Sequence, residues 1–248
     1  MRRLLLASYV LVPMGFTPAS PSHADSWSTS GTLYAQFAGL SGKTAIGQRE
    51  ADLDVGFSEI HDHLEMAGMM AIRNETDAFA LSLNAVFMGL NADTADAFGN
   101  LYDLELTQDL VELSWSWRLN EQNELFVGGR YQSLAAEIST VLWTGEASTS
   151  FNVESWIDPI VGGRAAWPIT DTLDFIVRAD VGGFGVGSDL TWSALAVLDW
   201  GVMRSLGIVL GYRALDTDYS SGSGANRFEY DAVVAGPMLG VRFNFGEP

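Results

Sequence analysis

The chain has 248 residues, no cysteine, and 13 basic against 31 acidic side chains for a formal charge of -18. Such acidity excludes a nucleic-acid partner, because a phosphate backbone is held by a basic stripe. A hydrophobic content of 48% excludes a disordered chain. What remains is an apolar, glycine-rich, tryptophan-rich sequence with Lys43 as its lone lysine, which fits neither a helical bundle nor an ordinary soluble enzyme.

In chain order, the first element is a targeting segment. Arg2 and Arg3 precede an apolar stretch from Leu4 to Phe16, and Ser22-His23-Ala24 offers small residues at the positions a signal peptidase inspects. Residues 1–24 therefore read as a cleaved signal peptide and 25–248 as the mature domain. Its charge is 11 − 31 = -20 once Arg2 and Arg3 are removed. No later segment offers the ~20 uninterrupted apolar residues of a spanning helix. The exported chain forms no disulfide, so its stability must come from another source.

From there the period is two. In Leu173-Asp174-Phe175-Ile176-Val177-Arg178-Ala179-Asp180-Val181 the odd positions are apolar and the even ones hold Asp174, Arg178 and Asp180. The same rhythm sets Phe79, Leu81 and Leu83 against Ser82 and Asn84, and Val111, Leu113, Trp115 and Trp117 against Glu112, Ser114 and Ser116. It sets Leu125, Val127 and Tyr131 against Arg130 and Gln132, and Leu190, Trp192, Leu198 and Trp200 against Thr191 and Ser193. It recurs in Leu206, Ile208, Leu210 and Tyr212 against Arg213, and in Val241, Phe243 and Phe245 against Arg242. A soluble sandwich turns a Lys- and Glu-rich face to water. Here the polar face carries Gly, Ser, Asn and Arg, which suits a crowded hydrated lumen inside a lipid-facing coat, as in a membrane barrel.

Ten strands are predicted, near 30–39, 64–74, 78–90, 103–117, 123–136, 154–167, 172–182, 188–200, 204–216 and 228–245. A hairpin extension over 141–153 keeps eight or twelve open. Short connections at 74–77, 118–122, 168–171 and 201–204 alternate with longer ones rich in Gly, Ser, Asp and Thr, so the two barrel ends differ; 183–187 is short although external. This is the outer-membrane layout, short on the periplasmic side and long outside. Trp115, Trp117, Trp167, Trp200, Phe243 and Phe245 fall near the periplasmic ends as an aromatic girdle, with Trp192 and Tyr34 assigned to the outer one. The longest loop, residues 40–63, carries Phe57, Ile60 and Leu64 at near-helical spacing, so a short helix is expected there, either in the lumen or on the rim.

The stretches Trp156-Ile157-Asp158-Pro159-Ile160-Val161-Gly162-Gly163-Arg164, Asp180 to Trp192, Gly211-Tyr212-Arg213 and Gly236-Pro237-Met238-Leu239-Gly240 resemble a small proteobacterial outer-membrane β-barrel family. The likeness is strong over about the last 90 residues and looser before. It implies a barrel in the outer membrane, inserted by the barrel assembly machinery and meeting outer-membrane lipids and lipopolysaccharide, without implying a reaction or a cofactor. Such barrels end on an aromatic that the machinery reads; here Phe245 is followed by Gly246-Glu247-Pro248.

The lumen register collects Arg130, Arg164, Arg178, Arg213 and Arg242 with Glu112, Asp158 and Asp180. Two readings follow: structural ion pairs filling a narrow barrel, or an arginine ladder in a narrow pore for small solutes. A different class of function rests on the two mature histidines, His61 and His63, beside Glu59, Asp62 and Glu65, as a lipid-modifying hydrolase at the outer rim. No third metal ligand and no Gly-x-Ser-x-Gly elbow accompany them, and the glycines of 182–187 precede no Lys and serve a turn. The expected role is non-catalytic, with no metal. Asp216, Asp218, Glu229 and Asp231 are read as outer-loop acids, solvated or holding divalent cations.

Overall fold

The computed structural model of the chain describes residues 27–46, 49–55, 64–95, 101–141 and 144–245. The twelve strand segments are β1 (Ser28–Gln36), β2 (Gly39–Ile46), β3 (Arg49–Val55), β4 (Leu64–Glu75), β5 (Phe79–Ala95), β6 (Leu101–Arg118), β7 (Asn123–Val141), β8 (Ala147–Thr170), β9 (Leu173–Gly182), β10 (Leu190–Met203), β11 (Leu206–Ser221) and β12 (Phe228–Phe245). Each pairs antiparallel with its neighbour, and β1 pairs with β12, so the sheet closes on itself. The result is a closed antiparallel barrel of ten staves. Two staves are split: β1 and β2 run end to end along β12, while β4 and β3 pair with β1 and β2 respectively. Closure pairs the ten staves edge to edge around the belt of the barrel, which answers for the missing disulfides.

The break between β1 and β2 has a local cause. Phe37 and Ala38 lie opposite Gly236-Pro237, where proline has no N–H to donate and the ladder lapses into one bond from Phe37 N–H to the Pro237 carbonyl, 2.8 Å. Gly236 permits the approach, since a Cβ there would stand 2.2 Å from the Phe37 carbonyl oxygen.

Alternation then sorts the side chains. Leu33, Leu113, Leu125, Val127, Ile157, Val161, Leu198, Ile208, Leu210, Leu239 and Val241 are exposed on the outer wall, while Glu112, Arg130, Asp158 and Asp180 are buried on the inner one. Trp115, Trp117, Trp167, Trp200, Phe243 and Phe245 are exposed around the short-turn end and Trp192 toward the other. Some stack in pairs, Phe79 on Trp115 at 5.3 Å and Trp167 near Phe175 at 6.0 Å.

Three expectations change. Residues 40–63 are not one long loop: β2 and β3 form a hairpin that carries the wall upward, pairing Ile46 with Arg49 and running to Val55. Phe57 and Ile60 lie outside the described residues, and Leu64 opens β4; among the described residues the helical element is the 3-10 turn Gly224–Asn226. Tyr34 does not join the girdle. It sits on the inner face, donating its O–H to Asn84 Oδ1 at 2.7 Å and packing on Val197, Val209 and Met238, because even positions of β1 point inward. The extension foreseen at 141–153 exists as longer β7 and β8 strands, paired up to Val141 and Ala147.

Candidate functional site

The lumen holds two stacked charge clusters. At the short-turn end, β4, β6, β7 and β8 place Arg73, Arg118 and Arg164 around Glu124: Arg73 grips it with two bonds of 2.7 and 2.9 Å, Arg164 adds one of 3.2 Å, and Arg118 stands 3.9 Å away. Glu75 accepts from Arg73 and Arg118, at 3.0 and 2.9 Å.

Above it, Arg130 and Arg178 share the same two carboxylates. Arg130 donates to Glu112 at 2.8 Å and to Asp180 at 2.6 Å; Arg178 donates to Glu112 at 2.5 Å and to Asp180 at 3.1 Å. Each oxygen of both acids is engaged, giving a closed ring of charge-assisted bonds. The Arg178 guanidinium also lies 4.1 Å above the Phe126 ring. Asp158, fully buried, belongs to a separate group. It accepts from Trp156 Nε1 at 3.1 Å and from the Ser188 backbone N–H at 2.6 Å, which ties the connection between β9 and β10 down onto the barrel. That connection turns through positive φ at Gly183, Phe184 and Gly185 (84°, 53° and 71°).

Of the remaining sequence-predicted residues, Arg164 joins the lower cluster, and Arg242 lies beside Asp199 at 2.7 Å and bonds Asn244. Arg213 is buried in the lumen without an ion pair among the described residues, so the expected pairing fails for it. His61 and His63 lie outside the described residues.

Residues missed in sequence complete the picture. Arg73, Arg118, Glu75 and Glu124 sit at strand ends, where charges read as turn residues. Apolar inward positions were also missed: Val86, Leu110 and Leu215 form one buried cluster, and Trp156, Tyr219, Phe228 and Tyr230 another toward the long-loop end, with Trp156 stacked on Tyr219 at 3.9 Å and 11°. A third inner cluster, Val197, Val209 and Met238 with Leu195 packed against it, has its signal in Ala194-Leu195-Ala196-Val197-Leu198, an apolar run without alternation, which means both faces are dry.

Exposure of the arginines falls along the lumen. Side chains of Arg118 (27%), Arg164 (19%) and Arg178 (18%) are reached from the short-turn end, whereas Arg130 (0%) is sealed. Arg130, Gln132, Thr191 and the aromatic cluster are buried across the lumen.

On the outer wall, positions past Ala214 on β11 and Val233 on β12 turn acidic, placing Asp218, Asp231 and Glu229 beyond the lipid-facing belt. Among the described residues no group of three or more acidic or histidine side chains is arranged to hold a metal ion. Partial burial, together with the charges of Asp231, Asp189 and Glu229, raises the Asp218 carboxyl above its ordinary value. The folded state thus holds that proton more tightly than the unfolded chain, and stability declines as pH rises through the raised value. Asp218→Asn is expected to raise the melting temperature at pH 7 to 8 and to match the parent below the ordinary carboxylate value of about 3.9, as read by thermal unfolding at both pH values.

No known protein family matches the chain, and no curated protein matches it in sequence. Solved structures match the fold. The outer membrane protease OmpT from Escherichia coli aligns over 91% of this chain and 99% of its own, with a TM-score of 0.53 at 8% identity. The attachment invasion locus protein Ail of Yersinia pestis, in complex with sucrose octasulfate, aligns over 88% and 98%, with a TM-score of 0.37 at 13% identity. Neisserial surface protein A aligns over 88% and 97%, with a TM-score of 0.35 at 11% identity. The likeness is one of fold: a bacterial outer-membrane β-barrel.

Proposed function

We propose that the chain is an integral outer-membrane protein with a non-catalytic, structural role, its vestibule open to the periplasm and closed toward the outside. The observation that carries this reading is Arg130, wholly buried in a ring of ion pairs across the middle of the lumen. A conducting arginine ladder needs water-exposed guanidinia along its whole length, whereas here exposure ends at Arg178. The girdles, the apolar outer wall and the short turns at one end support insertion with those turns in the periplasm. Export by cleavage after Ala24, insertion directed by Phe245 and contact with lipopolysaccharide belong to the same proposal; the amino-terminal sequence of the mature protein tests the cleavage.

The principal test is electrical. Refolded protein in planar bilayers is expected to show no resolvable single-channel steps at neutral pH. Stepwise conductance from the parent protein would overturn the structural reading in favour of a narrow pore.

A further inference from the structure

The strands do not all end at one height. β8 has 24 residues and β9 only 10. Pairing of β8 with β7 runs up to Ala147, whereas pairing with β9 stops at Ile160 opposite Gly182, followed by one bond from the Gly183 N–H to the Pro159 carbonyl. On the far side of that notch, Ile160, Gly182, Thr191 and Thr217 share a row, so β11 ends at Ser221 on the level of Trp156. Among the described residues, β8 from Ala147 to Ser155 therefore has a strand on one side only. Tyr219 and Ser221 do reach across, but to the inward Glu154 carboxylate at 3.4 and 3.2 Å, which braces the inner face and leaves the backbone edge open.

The parity of that edge is fixed. In an antiparallel strand each residue sends its N–H and C=O to the same side, and the next residue sends them to the other. The Pro159 carbonyl points to β9 and the Ile157 carbonyl lies beside Gly187, where a Cβ would stand 2.5 Å from it, while the Ala166 N–H bonds Gln122 on the β7 side. Thr149, Phe151, Val153 and Ser155 thus direct their N–H and C=O to the open side. Natural sheets blunt such an edge with a proline, a lysine or a bulge. This one has none: residues 147–155 hold no Pro and no Lys, and their register with β7 is unbroken. The outer face above the polar row Asp109, Ser133 and Ser155 is also unusual, since Phe151 (66%) and Val153 (46%) stand exposed beyond the apolar belt.

We propose that the open edge of β8, from Thr149 to Ser155, is a docking strand for an extended segment of a partner polypeptide with basic residues at its ends, added to the sheet beyond the lipid belt. Backbone bonds to the edge supply affinity, and Phe151 and Val153 supply an apolar row for the incoming side chains. Charge selects the partner: residues 147–153 are neutral, but Glu146 precedes them, Glu137 lies opposite Phe151, and Asp189 and Asp218 stand at the foot of the notch. A second copy fits poorly. It brings the same acids, and two copies in one membrane are related by an axis along the membrane normal. Strands tilted about 35–45° would then cross at about 70–90°, far from the roughly 20–25° between neighbours in a sheet. Docking here goes beyond the structural role proposed above, and its readout is peptide binding rather than conductance, so each can fail without the other.

The test uses full-length mature protein refolded in detergent and a fluorophore-labelled peptide of alternating threonine and valine with a lysine at each end. Every second residue of the peptide is N-methylated, which leaves one pairing edge and stops the peptide stacking on itself. Fluorescence anisotropy is expected to show saturable binding to the parent, and none for a peptide N-methylated at every residue. Glutamates in place of the end lysines are expected to weaken binding. Val153→Pro removes an N–H from the open side without touching the bonds to β7, and is expected to weaken binding about fivefold, the scale of one backbone hydrogen bond. Thr149→Pro serves if Val153→Pro fails to fold, as judged by the heat-dependent gel shift. No binding to the parent at about 1 mM peptide, equal binding of the fully methylated peptide, or undiminished affinity in the folded proline variant would overturn the proposal. Equal affinity for the lysine and glutamate peptides would overturn the choice of a basic partner. A parent dimer in sedimentation that the proline variant dissolves would assign the edge to a second copy instead.

Discussion

Arg130→Met is expected to lose about 3–5 kcal/mol of barrel stability, the scale of removing one partner from a buried ion pair. The guanidinium has no exposure and bridges Glu112 and Asp180, so its removal leaves two carboxylates on Arg178 alone. Adding Asp180→Asn restores one-to-one balance between Glu112 and Arg178, and the double variant is expected to regain a large part of the loss. Arg130→Lys does not substitute, because a point charge cannot serve both acids at once as the planar fork does. Urea unfolding, followed by tryptophan fluorescence and by the heat-dependent gel shift of folded barrels, measures all three. A single Arg130→Met variant as stable as the parent would show that the ring carries no weight in closing the lumen.

The second large effect concerns two adjacent glycines on opposite faces of β8. A Cβ at Gly162 would stand 2.2 Å from the Ala179 carbonyl oxygen, 2.5 Å from the Phe126 ring and 2.7 Å from the Asp180 Cβ. Gly163, facing outward, has its nearest neighbour at 3.4 Å. Gly162→Val is therefore expected to cost about 3 kcal/mol or more, by displacing Phe126 from beneath Arg178 and pushing Asp180 out of the ring. Gly163→Ala is expected to be nearly neutral. The same unfolding assay reads both, and equal losses at the two positions would contradict the inward assignment of Gly162.

The contrast between those glycines shows where the sequence was legible. Alternation in Leu173 to Val181 and in Leu113, Trp115 and Trp117 assigns faces without ambiguity, because a one-residue slip would turn every apolar side chain from lipid to lumen. The same rule put Glu112, Arg130, Arg178 and Asp180 on the inner wall. Tyr34 was misplaced because an aromatic near a strand end reads as girdle, whereas its parity in β1 points it inward to Asn84. Residues 40–55 were read as loop since their Gly, Ser and Asp content resembles loop chemistry; pairing of β2 along β12 overrides that local preference.

By itself, the sequence determined that the chain is a transmembrane-type barrel with unlike ends, since period, turn spacing and girdle are local properties written along each strand. Only the tertiary structure decided which charges meet. Arg130 and Asp180 are 50 residues apart and Arg178 and Glu112 are 66 apart, and their contact depends on strand register and barrel closure, which no local pattern contains. The same closure leaves Arg213 without a carboxylate while six other arginines have one. Partner choice in a lumen follows from the geometry of all ten staves at once, and a stave read alone carries only the face on which its charge will lie.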